Sequence, residues 1–176
     1  MGPVTEGTDA VRVVVCDTGP ILHLHEAGAL ALLAGAGEVL IPQAVDEELR
    51  SLMTEWPASR PTWLRVCRLA SEDERRAAGL RGMGGLGLGE AEAVVLARSA
   101  RADWLLTDDA GARIVATTLG LEVHGSLGVV LWAAAGKQIQ RLEALAVLDG
   151  LAKSSLWISS DVLRDARQAL DRLLPS

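Results

Sequence analysis

Short apolar runs alternate along this chain with helix-patterned stretches, and that alternation limits the fold more than any other feature. Residues 11–16 (VRVVVC) are broken only by Arg12 and rich in valine, as suits a strand buried on both faces. The run stops at Asp17. Residues 21–34 take a helical pattern, and Gly28 weakens its middle enough to read as two short helices. Residues 39–41 form a second strand. A helix follows from Pro42, carrying Val45, Leu49 and Leu52 at i, i+4 and i+7. Residues 55–68 are irregular, with 63–67 a candidate strand. Residues 71–80 read as a charged, exposed helix, 82–89 as a mobile loop with five glycines in eight positions, and 90–100 as a helix. The pattern then gives a strand at 104–107, a helix at 112–119 stopped by Gly120, and a strand at 121–124. Ser126 caps a helix through 135, and the remainder is helical with a break near 154–160.

Strands and helices in this order make a parallel sheet covered on both faces. The expected architecture is a three-layer α/β/α fold with about four or five parallel strands. At 176 residues the chain is one domain long. Residues 1–10 are expected to be a disordered N-terminus, 11–137 the α/β body, and 138–176 a helical extension of the same domain. The first ten residues contain no Lys or Arg, unlike a secretory signal. No apolar run approaches the roughly 18 residues of a membrane span, so no membrane partner is expected. Cys16 and Cys67 are too few and too far apart for a disulfide framework or a zinc cluster, which suits a reducing cytoplasm. Cys16 reads as a small core residue.

Net charge is −6, which argues against binding nucleic acid through the overall field but not against a nuclease whose metal ions screen its acids. Five Trp with no Phe or Tyr make a base-stacking platform an unpromising expectation.

Functional groups of an open parallel sheet gather at the carboxyl ends of its strands. Asp17 follows the first strand and Asp108-Asp109 the later one at 104–107, so both sites lie on one sheet edge. Any single aspartate there also serves as a helix N-cap; the joint placement is what points to chemistry. Two glutamates can join. Glu48 falls about 60–70° from the centre of its helix's apolar face, with no basic residue three or four positions away, whereas Glu47 points outward. Glu90 opens the helix after the glycine stretch, where a carboxylate also complements the helix dipole. Glu92 faces elsewhere. At ~4 Å and an effective dielectric near ~20, each like-charged pair costs about 4 kcal/mol. Such a cluster takes up protons or hard cations, and oxygen-only ligands suit Mg²⁺ or Mn²⁺. One or two such ions activate water and stabilise an in-line phosphoryl displacement.

The segments VVVCDTGPIL, VLIPQAVDEEL, LGEAEAVVLA, WLLTDDAGAR and VHGSLGVVL together resemble PIN-domain ribonucleases in order, spacing and character. The likeness covers about residues 11–137 and, more loosely, the helical tail with its WIS segment. It is nearest to a subgroup with a GEAEA-type third segment, many of which are toxins of VapBC-like toxin–antitoxin systems. The resemblance implies a PIN-like nuclease domain and metal-dependent endoribonuclease activity with Mg²⁺ or Mn²⁺. Its catalytic and metal-binding acids would be Asp17, Glu48, Glu90 and Asp109, with Asp108 as an additional metal neighbour. Thr18, Thr107 and Arg113 would contact substrate; Arg113 alternatively bridges Asp109. A catalytically inactive PIN-like binding or scaffold module is the alternative.

His23 and His25, at i and i+2, point to different helix faces and do not read as a metal pair. A haloacid-dehalogenase-type phosphatase needs a second Asp where Gly19 stands. A receiver domain needs a Lys near its site, and only Lys137 and Lys153 exist. The expected partners are an RNA substrate, a small antitoxin protein and a second copy of the chain. Val162, Leu163, Ala166, Ala169, Leu170 and Leu173 form an apolar stripe that would pack on the sheet or meet a partner. Trp132 and Trp157 read as anchors for packing or for a dimer.

Overall fold

In β1 (Val13–Cys16), Val14 and Cys16 face one side of a sheet and Val15 the other, and all three are buried. Both faces of the strand are covered, so its pattern is a run rather than an alternation. The computed structural model describes residues 11–175; the stretch 1–10 expected to be disordered lies outside the described residues. The chain continues through α1 (Thr18–Glu26), a 3₁₀ turn (Leu30–Gly35), β2 (Glu38–Pro42), α2 (Gln43–Leu52), the short α3 (Trp56–Ser59) and β3 (Leu64–Cys67). It then forms α4 (Ser71–Gly84), α5 (Leu88–Ser99), β4 (Trp104–Leu106), α6 (Ala110–Thr118), β5 (Val123–His124) and α7 (Ser126–Ala135). Two further helices, α8 (Arg141–Lys153) and α9 (Ser160–Leu173), complete it.

The five strands are all parallel, in the order β3-β2-β1-β4-β5. This is the expected three-layer α/β/α arrangement, with the candidate strand at 63–67 present as β3. From β1 the chain winds outward to β3, then crosses back to lay β4 on the other side of β1. That reversal opens a crevice at the carboxyl ends of β1 and β4, the usual ligand site of such a sheet.

One core lies between the sheet and α1, α2, α7, α8 and α9, holding Val14, Ile21, Ile41, Leu49, Leu106, Leu148 and Leu170. The other joins Val15, Leu40 and Leu105 to α4, α5 and α6 through Ala77, Val94, Ala112 and Ala116. The tail therefore shares the core of the α/β body. Of the α9 stripe, Ala166 and Leu170 are buried, Leu163 and Ala169 half-buried, and Val162 and Leu173 exposed.

Several local expectations differ. The glycine-rich stretch is mostly helical: α4 runs to Gly84, Gly85 closes it at φ 66°, and α5 begins at Leu88. Leu52 is 58% exposed because the buried face of α2 turns toward Ala44, Val45, Asp46 and Leu49. Gly125, not Ser126, stands at the N-cap of α7, and the Ser126 side chain is used elsewhere. Gly37 enters β2 at φ 144°, where a Cβ would lie 2.1 Å from the Arg12 carbonyl oxygen. Only glycine fits that approach.

Asp46 is buried and accepts hydrogen bonds from Arg50 Nε at 2.8 Å, and from Trp56 Nε1 and Arg60 Nη1 at 2.9 Å each. It ties α3 and the following turn to α2. Burial pulls its carboxyl up, but the bonds from Trp56, Arg50 and Arg60 outweigh it and hold the pKa below 3.8. Asp46→Ala leaves the buried Trp56 N–H and two guanidiniums unpaired and is expected to cost about 2–4 kcal/mol. Because the folded pKa is depressed, this contribution is present above the unfolded value and lost as pH falls through the folded one. Urea unfolding of both proteins at neutral and acid pH checks it: their difference should narrow in acid.

Candidate active site

Asp17 ends β1 and caps α1. It is 4% exposed, its Oδ1 accepting from the Thr18 N–H at 2.7 Å and its Oδ2 from the Thr107 hydroxyl at 2.9 Å. Burial pushes its pKa from 3.8 up to about 7; the Thr18 and Thr107 hydrogen bonds pull it down, and the charges of Glu90 and Glu48 raise it further. Thr107 also accepts the Asp109 N–H at 3.2 Å, so one hydroxyl couples the ends of β1 and β4. Beside it, the Cys16 thiol is fully buried, and burial, then Asp17 and Asp108, push it well up.

Glu48 reaches across from α2. Its Oε2 accepts from the Thr18 hydroxyl and its Oε1 from the Gly89 N–H at 3.0 Å. A Cβ on Gly89 would lie 2.6 Å from Glu48 Oε2, so the start of α5 meets this carboxylate only through a glycine. Glu90 sits one turn into α5 and accepts the Gly87 N–H at 2.7 Å. Burial raises its pKa against that bond, with Asp109 and Glu48 adding to the rise. Asp109 caps α6 through the Ala112 N–H at 2.7 Å.

Asp17, Glu48, Glu90 and Asp109 all line one cleft of about 450 Å³, together with Thr18, Asp108 and His23. Two of the other expected residues are engaged away from the cleft centre. Asp108 accepts the Ser126 N–H and hydroxyl, at 2.7 and 2.6 Å, and meets His23 Nδ1 at 2.7 Å. Burial raises its pKa, but the His23 and Ser126 bonds outweigh it and leave it lowered. Arg113 donates to the Thr107 carbonyl at 3.2 Å and, at 3.5 Å, to that of Val123, rather than bridging Asp109. Glu92 and Glu47 lie outside the cleft in a neighbouring hollow.

Sequence reasoning missed His23 and Gly19 as cleft residues and Gly89 as a donor to Glu48. Gly19 and His23 are one helical turn apart on α1, a spacing that puts both on one face, near Asp108. The tail residues Ser155, Leu156 and Trp157 also reach the cleft rim, and no local sequence signal places them there.

Among the described residues, no three His, Cys, Asp or Glu side chains are grouped, as they stand, to hold a metal ion. Each of the four acids is turned onto a local donor. Among the described residues, Glu90 Oε1 and Asp109 Oδ2 accept no hydrogen bond. The donor set is oxygen alone, the neighbouring carboxylates add to the raised pKa of Asp17 and of Glu90, and these properties fit a hard divalent cation rather than zinc.

Among the described residues no helix is long and apolar enough to cross a membrane. Among curated proteins and among solved structures, nothing matches the chain. A family model described as a PIN domain matches residues 13–172. PIN domains are in general nucleases that use divalent metal ions. Strand order, the acid-lined crevice and a match over nearly the whole chain agree, and the chain belongs to the PIN-domain family.

Proposed function

We propose that this chain is a metal-dependent endoribonuclease that hydrolyses RNA phosphodiester bonds, and that it is the toxin of a toxin–antitoxin pair. The observation that carries the nuclease reading is the meeting of Asp17, Glu48, Glu90 and Asp109 in one cleft at the reversal point of the sheet. These four acids would hold Mg²⁺ or Mn²⁺, which when bound supplies an activated water and neutralises charge on the phosphate. The protein's own part is to hold the acids. Thr107 and Thr18 fix Asp17, Thr18 and the Gly89 N–H fix Glu48, and the Gly87 N–H fixes Glu90. Asp108, tied to Ser126 and His23, supports the wall rather than the ion. The toxin role is supported by the resemblance of the GEAEA segment (Gly89 to Ala93) to that of the toxin subgroup; in this chain its glycine admits Glu48 and its first glutamate is the third acid. A small antitoxin and a second copy of the chain are the protein partners we propose.

Calorimetric titration with Mn²⁺ and cleavage of single-stranded RNA test this reading. Glu48→Gln should lower Mn²⁺ affinity and cleavage by at least about tenfold. Glu47→Gln should change neither, because Glu47 is exposed and bonded to Gln43. Equal effects would remove Glu48 from the site. A wild-type chain that binds no Mn²⁺ would instead be a scaffold, its acids satisfied by their hydrogen bonds alone.

A further inference from the structure

A tryptophan left in water needs a reason. Trp157 is 86% exposed, the most exposed of the large hydrophobic residues apart from Met83 among the described residues. It sits in the connection between α8 and α9, and that connection is fastened. The Ser155 N–H and hydroxyl both donate to Glu26 Oε2 on α1, at 2.7 and 2.8 Å, and the Ser154 hydroxyl bonds the Leu151 carbonyl at 2.7 Å. Leu156 and Ile158, on either side, pack against the main core. The alternation in-out-in turns Trp157 outward from an anchored backbone, so its exposure is built into the loop rather than left over from it.

Trp157 and Leu156 belong to two cavities at once. One is the acid cleft. The other, about 320 Å³, continues from it past Asp108 and is lined by Arg113, Gly125, Leu127, Ser159 and Val162 as well. That size is at the lower end for a small-ligand site, and its lining mixes apolar side chains with the polar Asp108, Arg113, His124 and Ser159. Arg113 is held there by the Thr107 carbonyl, against Gly125, where a Cβ would lie 2.9 Å from the guanidinium. Apolar side chains, hydrogen-bonding groups and a cation in one small cavity match the face, the edge and the phosphate of a nucleotide.

We infer that Trp157 and this second cavity form a nucleobase subsite. It stacks one base of a single-stranded RNA whose neighbouring phosphodiester lies among the four acids, with Arg113 beside the intervening phosphate. The inference rests on the nuclease reading and names the part of the substrate held outside the acid cleft. A protein partner would ask for an extended apolar groove; here the small cavity, its mixed lining and its continuity with the acid cleft favour a base. A single stacking residue of this kind also needs none of the aromatic platform that the composition lacks.

The full chain carrying Asp17→Asn, in Mn²⁺ buffer, is titrated by fluorescence anisotropy with labelled single-stranded RNA and with the same sugar–phosphate backbone lacking bases. Adding Trp157→Ala should weaken RNA binding by on the order of tenfold and leave the base-free strand unchanged, while Trp157→Phe restores most of the loss. In the otherwise wild-type enzyme, Trp157→Ala should raise KM for RNA by a similar factor. Unchanged RNA binding and KM in Trp157→Ala, with wild-type cleavage intact, overturn the subsite and leave the nuclease reading standing. Loss of self-association on a sizing column without loss of RNA binding overturns it in favour of a protein interface. A wild-type chain that neither binds nor cleaves RNA overturns both readings together.

Discussion

Asp17→Asn is expected to reduce RNA cleavage by on the order of a hundredfold or more while making the metal-free protein more stable at neutral pH. The two effects have one cause. Burial beside Glu48 and Glu90 raises the folded pKa of Asp17 to about 7, above the ordinary 3.8. Between those values the folded chain keeps a proton that the unfolded chain has released, so metal-free stability falls as pH rises through that window and levels off above it. The full difference amounts to about 4 kcal/mol at most. Asparagine carries no charge and removes the slope. It can still accept the Thr18 N–H, and the Thr107 hydroxyl can turn to meet its amide. Thermal unfolding without metal at pH 4 and 7 reads the effect. With Mn²⁺ the order should reverse, since only the wild type gains from binding. An Asp17→Asn protein less stable than wild type at both pH values would make Asp17 a structural cap and nothing more.

Cutting the chain after Lys153 is expected to abolish cooperative folding. The removed segment carries Ala166 and Leu170, both buried in the core that covers one face of the sheet, and Leu163 and Ile158 packed against it. Its loss also uncovers the faces of α7 and α8 on which α9 packs. A single buried leucine truncated to alanine costs about 2–5 kcal/mol, against a total of about 5–15 kcal/mol for a domain. Near-ultraviolet circular dichroism and urea titration check this. Leu170→Ala should lose about 2–5 kcal/mol and Leu173→Ala, on the exposed edge of α9, no more than about 0.5 kcal/mol. A truncated chain that unfolds cooperatively at the wild-type midpoint would show that the tail serves only as an interface.

Most of the sheet was legible because it is parallel: buried runs such as VVVC and VLI have no other comfortable place, and their terminal acids fall on one edge. Helix periodicity puts Glu48 half-buried toward the cleft and Glu47 outside, as they stand, although Leu52, which the same periodicity places on the buried face, is exposed. The missing ingredient was Asp46. A buried carboxylate met by an indole and two guanidiniums from a later turn leaves no periodic trace. The same holds for the cleft's hydrogen bonds. Thr107 and Arg113 stand near the acids in sequence, but only the fold shows one donating to Asp17 and the other to backbone carbonyls. Glycine density at 82–89 suggested a loop, whereas most of those positions end or begin helices.

The order β3-β2-β1-β4-β5 also sets when during synthesis the cleft comes into being. Asp17 is made early, but its wall is completed only after β4 has been inserted beside β1 and Thr107 has reached it. Glu48 is held in part by Gly89, which arrives one crossover later. A ribosome-bound fragment ending before β4 has the first three acids but neither Asp109 nor the strand that brings Thr107 to Asp17. A chain that stops before β4 therefore lacks the completed cleft, whose last wall arrives only after β1, β2 and β3 are already made.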